Sequence, residues 1–219
     1  MEDIDQVRKN RMVLLLIAGI PLTMILAATW LWYFVVRGDL DLVATLGTAN
    51  RGTLLQPPRQ LDDYTLFDQS GVAFKYADLD PRWSLLIAAP GASCNAACER
   101  TLYVTRQIHV AMGKEFNRIR RLYVSEAKVA DTVLDFAALS DQRPAPADFT
   151  QLLQSEHRGL KALVLQPGGY GSAFAEQQDT ADTWYLVDPA GWIMMSYNGE
   201  VPYKDVISDL KFLLKNSSE

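Results

Sequence analysis

The sequence has little cysteine and histidine, with only two residues of each type among 219. No serine, histidine and aspartate form a hydrolase pattern, and no metal-hydrolase spacing is present. The glycine-rich stretch at residues 167–171 lacks the lysine and the serine or threonine of a phosphate-binding loop. These absences argue against hydrolases and phosphate-loop enzymes, and they leave the two cysteines as the main chemical feature.

Basic residues are in the minority. The chain has 21 lysines and arginines against 26 aspartates and glutamates, which gives a formal net charge of −5. Residues 1–11 contain equal numbers of both signs, so the whole negative charge belongs to the rest of the chain. With this balance the protein is not expected to bind nucleic acid or to be attracted to anionic lipid.

Charged residues are absent from residues 12–36, a run of 25 positions rich in apolar side chains. At about 1.5 Å per residue, a helix of this length exceeds a hydrocarbon core of about 30 Å. Arg8, Lys9 and Arg11 precede the run, so the positive-inside rule predicts a cytoplasmic tail at residues 1–11. A cleaved signal peptide is the alternative, but its apolar region usually has only about 7 to 15 residues. We predict a single-pass protein of the inner (plasma) membrane with a periplasmic or otherwise extracytoplasmic domain.

The residues after the span are enough for one domain behind a tether. Residues 37–60 contain glycines and prolines without a long apolar period, which predicts a linker, and residues 61–219 are then the exported domain. The predicted order is a strand pair, strand, helix, strand, helix, strand, hairpin and helix, at residues 64–67, 72–76, 83–89, 95–116, 119–125, 147–156, 162–165, 183–187, 192–197 and 203–215. This order indicates an α/β thioredoxin-like sandwich with an added N-terminal β-hairpin, preceded by one transmembrane helix.

Cys94 and Cys98 stand four residues apart after the strand-like run at residues 83–89. In a helix from Asn95 onward, this spacing places both sulfurs near a helix N-terminus, where the macrodipole stabilises thiolates. Two helical positions at this spacing are roughly 6 Å apart at Cα, which is within disulfide range, yet so short a loop gains little entropy from a cross-link. We therefore expect a functional redox pair or a soft-metal site, with a structural disulfide as the alternative.

Several segments together resemble the Sco/SenC family, and the resemblance covers essentially the whole exported domain. The matching segments are residues 63–71, the strand 85–88 that leads to Cys94-x-x-x-Cys98, residues 122–125 and residues 185–191. The resemblance implies a membrane-anchored thioredoxin fold. It also implies delivery of copper to the copper site of cytochrome c oxidase, or maintenance of that site's cysteines. It implies Cys94 and Cys98 as copper ligands, and a respiratory oxidase subunit or a copper-delivery protein as the partner.

The sequence also departs from the family pattern. The family has proline after each cysteine, whereas this chain has Asn95 and Glu99. The position of the family's metal-binding histidine, next to Asp179, is occupied by Thr180, and residues 124–128 replace an acidic segment. The resemblance therefore implies a copper site of two cysteines and one histidine that lacks its histidine.

Other residues are weaker candidates for the missing donor. His109 comes eleven residues after Cys98, about 16 Å along a helix, so we interpret it as an ordinary helix residue. His157 follows a predicted helix, where a cation interacts well with the dipole, and a ligand role is its less favoured alternative. Met194 or Met195 would be thioether donors to Cu(I), although packing is the preferred role for both.

The sequence supports three hypotheses. The first is a non-enzymatic assembly factor that handles copper or thiols for a respiratory cytochrome oxidase. The second is an enzyme, a thiol–disulfide oxidoreductase, but the chain lacks Cys-x-x-Cys and has no proline at the entrance to the strand 184–187. The third is a degenerate scaffold without metal chemistry, which Thr180 favours.

Overall fold

In a computed structural model the chain forms two compact units, residues 1–49 and 50–219, and the structure describes residues 2–37 and 50–217. The first unit contains one helix, α1 (Glu2–Arg37), in its described part. Within α1, Asn10–Phe34 is long and apolar enough to cross a membrane. This stretch is displaced by two residues from the predicted span at residues 12–36.

The second unit is a mixed α/β domain. Its strands are β1 (Thr53–Gln60), β2 (Leu66–Phe67), β3 (Ala73–Phe74), β4 (Trp83–Ala89), β5 (Ser93–Asn95), β6 (Ile119–Ser125), β7 (Val133–Asp135), β8 (Leu160–Leu165), β9 (Trp184–Val187) and β10 (Trp192–Tyr197). Its α-helices are α2 (Ala96–Ala111), α3 (Phe149–Glu156), α4 (Tyr170–Ala173) and α5 (Tyr203–Asn216). Short 3₁₀ helices occur at Leu61–Asp63, Tyr76–Asp78, Gly113–Arg118, Val129–Asp131 and Ala175–Gln178.

Most strands join one sheet in the order β1, β10, β9, β4, β6, β8, β2, β3. The pairs β4/β6 and β6/β8 are parallel, and the other neighbours are antiparallel. Helix α2 provides the crossover between the parallel strands β4 and β6, as such a connection requires. The strands β5 and β7 form a separate parallel pair outside this sheet.

The core lies on both faces of the sheet. All seven residues of β4 are buried, as expected for a strand that is covered on both sides. Leu85 belongs to a cluster with Leu210 of α5, whereas its neighbour Leu86 belongs to a different cluster with Phe174. Successive side chains of a strand point to opposite faces, so α2, α3 and α5 cover one face of the sheet and the segment around α4 covers the other.

The predicted N-terminal hairpin is confirmed. Strands β2 and β3 pair antiparallel, and β2 adds the hairpin to the sheet beside β8. In the turn, the Asp68 carboxylate accepts hydrogen bonds from the backbone N–H groups of Ser70 and Val72 at 2.9 and 3.0 Å. Gly71 has φ +90°, a conformation that favours glycine.

The predicted linker at residues 37–60 is wrong for its last eight residues, because these form β1 and pair with β10. The folded domain therefore begins before the predicted boundary at residue 61. β1 is an edge strand, where proline is tolerated since half of the backbone N–H groups face away from the sheet. Residues 38–49 of the predicted linker lie outside the described residues.

Helix α5 fixes the point where the chain enters β1. The buried carboxylate of Asp209 accepts hydrogen bonds from the backbone N–H groups of Arg51 and Gly52 at 2.8 and 3.1 Å. It also accepts one from the hydroxyl of Tyr197 at 3.2 Å. Three donors on one buried carboxylate make this junction a well-defined end of the domain.

Candidate functional site

Cys94 occupies a strand rather than a helix. It lies in β5, where it pairs with Leu134 of β7, because the chain between β4 and α2 is extended. Its side chain is fully buried in a cluster that includes Leu102, Tyr123 and Phe149. The sulfur of Cys94 is thus part of the hydrophobic core.

Cys98 is the third residue of α2 and is only partly buried. Its backbone N–H donates to the side-chain oxygen of Asn95 at 3.1 Å, so Asn95 caps the helix. Cys94 and Cys98 form a disulfide with their Cα atoms 5.2 Å apart. This is shorter than the roughly 6 Å expected for two helical positions, because one partner lies outside the helix.

A cavity of about 420 Å³ opens beside Cys98 but is not lined by Cys94. Its walls come from the end of β4, the loop 90–92 that follows it, residues 93 and 95 of β5, the first turns of α2 and the segment 170–181. Among the described residues that line it, none is an aspartate, glutamate, lysine, arginine or histidine. The cavity therefore gives access to Cys98, through walls that carry no charged side chain.

Gln177 holds one wall of this cavity against the sheet. Its side-chain amide donates to the carbonyl oxygens of Ala88 in β4 and Thr183 before β9, at 3.0 and 2.5 Å. The backbone N–H of Thr183 in turn donates to the carbonyl of Thr180 at 3.1 Å. Sequence reasoning missed Gln177, and no local signal could have found it, since its partner Ala88 lies in β4, 89 residues away in sequence.

The loop that carries Thr180 lies next to the cavity. Its neighbour Ala181 lines the cavity together with Cys98. The carbonyl of Asp182 accepts a hydrogen bond from the hydroxyl of Thr101 in α2 at 3.4 Å. The structure thus brings the loop close to the first turns of α2, the helix that starts at the disulfide.

Asn95 and Glu99, which stand where the Sco/SenC pattern has proline, both accept hydrogen bonds within the domain. Asn95 caps α2, as described above, and proline has no side-chain acceptor for this bond. The buried carboxylate of Glu99 accepts hydrogen bonds from the backbone N–H of Ser140, at 2.9 Å, and from its hydroxyl. These bonds fasten the segment around Ser140 to the first turn of α2.

The other candidate donors lie elsewhere. His109, in the last turn of α2, stacks on Phe116, and its Nε2 donates to the carbonyl of that residue at 2.9 Å. Met195 is buried, and Met194 packs with it, in a cluster that contains neither cysteine. Within residues 2–37 and 50–217, no group of three or more histidine, cysteine, aspartate or glutamate side chains has metal-binding geometry. The described residues therefore do not fit a three-donor copper site.

His157 follows α3 at its C-terminus, as predicted, but it is not a cation there. Burial, together with the positive charges of Arg121 and Arg106, lowers the pKa of His157 to about 3. Arg121 donates to Nδ1 of the imidazole at 3.3 Å, and since a guanidinium only donates, Nδ1 is the unprotonated nitrogen. The neighbouring Glu156 is paired with Arg143 and Arg106, whose hydrogen bonds lower the pKa of Glu156 to about 2.

Comparisons with solved structures show proteins of similar fold. A crystal structure of yeast Sco1 is 16% identical, covers 78% of this chain and 99% of its own, and superposes with a TM-score of 0.51. A crystal structure of yeast Sco1 with copper bound is 15% identical, covers 78% and 97%, and gives 0.50. Solution structures of apo Sco1 from Thermus thermophilus are 16% identical, cover 76% and 98%, and give 0.49. The resemblance to Sco/SenC proteins is confirmed at the level of the fold.

Sequence comparison gives the family. No curated protein sequence matches the chain. A sequence profile described as "transmembrane-like, thioredoxin-like, C-terminal domain" matches residues 83–217, from the first residue of β4 to the end of the described chain. This match covers more than half of the sequence, so the chain belongs to the family of transmembrane-like, thioredoxin-like C-terminal domains.

Proposed function

We propose that this chain is a membrane-anchored assembly factor that handles thiols, or carries Cu(I) on thiols, for a respiratory cytochrome oxidase. The observation that carries the proposal is the disulfide between Cys94 and Cys98, which opens through Cys98 to a cavity at the N-terminus of α2. Thiolates at such a position are stabilised by the helix macrodipole, which favours redox chemistry over an inert cross-link.

The small stabilisation expected from this disulfide favours a functional cysteine pair over a purely structural cross-link. In the chain-entropy model, a disulfide that closes a loop of five residues stabilises a fold by only about 2 kcal/mol, against about 4.7 kcal/mol for a loop of 100 residues. Cys94 is already held by β7 and by the hydrophobic core, and α2 already has its Asn95 cap. The disulfide thus adds little to local order, whereas its accessible sulfur is suited to exchange.

Thiol exchange is the leading role and Cu(I) transport is the second. Among the described residues the reduced cysteine pair would have no third metal donor, which disfavours Cu(II). Two thiolates are nonetheless a suitable donor set for Cu(I), a soft ion, as cargo rather than as a resident cofactor. Yeast Sco1 has been crystallised with copper bound, and this motivates a Cu(I) test of the present chain.

The anchor would keep the domain beside a partner in the same membrane. We propose that α1 spans the inner (plasma) membrane, with Arg8, Lys9 and Arg11 in the cytoplasm and the domain outside, where disulfides persist. A respiratory oxidase subunit would be the acceptor there, and a copper-delivery protein the donor if Cu(I) is the cargo. A degenerate scaffold is the competing function, because Thr180 occupies the position at which the Sco/SenC pattern has its histidine.

A complementation experiment distinguishes these functions. In cells that lack the chain, we expect the wild type to restore cytochrome oxidase activity, and the double variant Cys94→Ala, Cys98→Ala to leave it at the level of the deletion. Gln107→Ala, at an exposed position of α2 outside the lining of the cavity, is the matched control and should restore activity. Full restoration by the double variant would contradict a thiol or copper role and would favour the scaffold.

A further inference from the structure

The two sulfurs of the disulfide are not equivalent. Cys94 has no exposed surface and packs among Leu102, Tyr123 and Phe149. Cys98 is partly exposed and lines the cavity of about 420 Å³ beside α2. A partner thiol that approaches from solvent through this cavity reaches Cys98, whereas Cys94 becomes accessible only when the local structure opens.

The two cysteines also differ in their position relative to the N-terminus of α2. Cys98 lies in the first turn of α2, where the macrodipole stabilises a thiolate, and Cys94 lies before the helix, in β5. The nearest acidic neighbour along the helix, Glu99, is directed at Ser140, from which it accepts two hydrogen bonds. Cys98 therefore has both better access and better stabilisation of its anionic form.

We infer that Cys98 is the sulfur at which a partner's thiol enters, and that Cys94 is the buried sulfur that leaves when the mixed disulfide forms; this rests on the proposed function. A partner cysteine thiolate attacks Sγ of Cys98 and forms a new S–S bond. The Cys94–Cys98 bond breaks, and Sγ of Cys94 leaves with the electron pair and takes the proton that the partner thiol lost. A second partner thiolate then releases Cys98, so two partner thiols become a disulfide while this pair becomes two thiols.

The walls of the cavity give the chemical class of the partner segment. Ile87, Ala88 and Ala89 form an apolar wall, and the polar groups include the amides of Gln177 and Gln178. Apart from Cys98 and the phenol of Tyr170, whose pKa is raised by burial, no ionisable side chain lines the cavity among the described residues. A charged group would lose hydration there without gaining an opposite charge, so the cysteine that enters belongs to an uncharged peptide segment.

The test uses the full chain in detergent micelles, reduced, with the two single-cysteine variants and the neutral probe 2,2′-dithiodipyridine. The Cys94→Ala chain, which keeps Cys98, is expected to react at least about tenfold faster than the Cys98→Ala chain, since about 1.4 kcal/mol of local opening costs a factor of ten. In concentrated guanidinium chloride the two rates should become equal, which assigns the difference to the fold. A disulfide-linked peptide with neutral flanking residues should also react faster than one with glutamates beside its cysteine.

A second measurement does not depend on how the variants fold. A brief pulse of iodoacetamide on the reduced wild type, followed by mass spectrometry, should label Cys98 before Cys94. Equal labelling, or faster labelling of Cys94, would overturn the inference and leave the proposed function intact. Failure of both cysteines to react in the folded chain would overturn the inference and the proposed function together.

Discussion

The reduced full chain with Thr180→His is expected to bind Cu(II) and to show an intense thiolate-to-copper charge-transfer band that the wild type lacks. Cu(II) prefers nitrogen donors, and the described residues offer no imidazole near the cysteines. The loop that carries Thr180 is well placed to supply one. Its neighbour Ala181 lines the same cavity as Cys98, and the loop is tied to α2 through Thr101.

Two controls make the copper experiment specific. Ala175→His places an imidazole at an exposed position on the same segment, outside the lining of the cavity, and should produce no band. Combining Thr180→His with Cys94→Ala should abolish the band, because one thiolate is lost. A strong Cu(II) band in the wild type would contradict this interpretation of Thr180 and would point to another donor.

The stability of the domain is expected to fall by about 2 kcal/mol as the pH is lowered from about 7 to about 5, because of His157. Its pKa is about 3 in the folded chain and about 6.5 when unfolded, so the unfolded state takes up the proton first. The stabilisation that neutral His157 gives the folded domain is fully present above the pKa of His157 in the unfolded chain. It is lost as the pH falls toward the pKa of His157 in the folded chain. Glu156, with its pKa lowered to about 2, acts in a separate window below about pH 4.5.

Urea unfolding of the full chain in detergent at several pH values, followed by tryptophan fluorescence, measures this effect. His157→Gln keeps an acceptor for Arg121 without a titratable group, so it should remove most of the pH dependence between about pH 7 and 5. His109→Gln is the matched control. It should remove a smaller part of the pH dependence of stability than His157→Gln does, because burial lowers the pKa of His109 as well. An unchanged pH dependence in His157→Gln would show that His157 is not the buried neutral group.

Much of the sheet could be predicted from the sequence. The continuous apolar run of β4 and the turn signal before β10 gave the correct bounds for both strands, since local pattern and burial agree there. The helices α2, α3 and α5 were also found within one or two residues at their N-terminal ends.

Strand β1 could not be predicted in the same way. Its two prolines, Pro57 and Pro58, and the preceding glycines are typical of a linker. The strand exists because β10 offers an edge, and the register between them is irregular between Leu54 and Arg59, the stretch that contains both prolines. This pairing spans most of the domain, so no local pattern reveals it.

The site was predictable only in part. The spacing of Cys94 and Cys98 indicated the disulfide range and the helix N-terminus at Cys98, both of which the structure has. The burial of Cys94 depends on β7, and one wall of the cavity depends on Gln177, whose amide donates to the carbonyl of Ala88 in β4, 89 residues away in sequence. Unequal access to the two sulfurs therefore follows from tertiary contacts that spacing does not encode.

The proposal that Cys94 and Cys98 form a functional pair can be tested by one redox titration. The full chain in detergent would be equilibrated with thiol–disulfide buffers of known potential, and its free thiols counted by labelling and mass spectrometry. We predict a reversible two-electron transition with a midpoint above about −300 mV, because one sulfur is accessible and the helix N-terminus stabilises its thiolate. A midpoint below about −300 mV, typical of structural disulfides that resist reduction, would contradict the proposal.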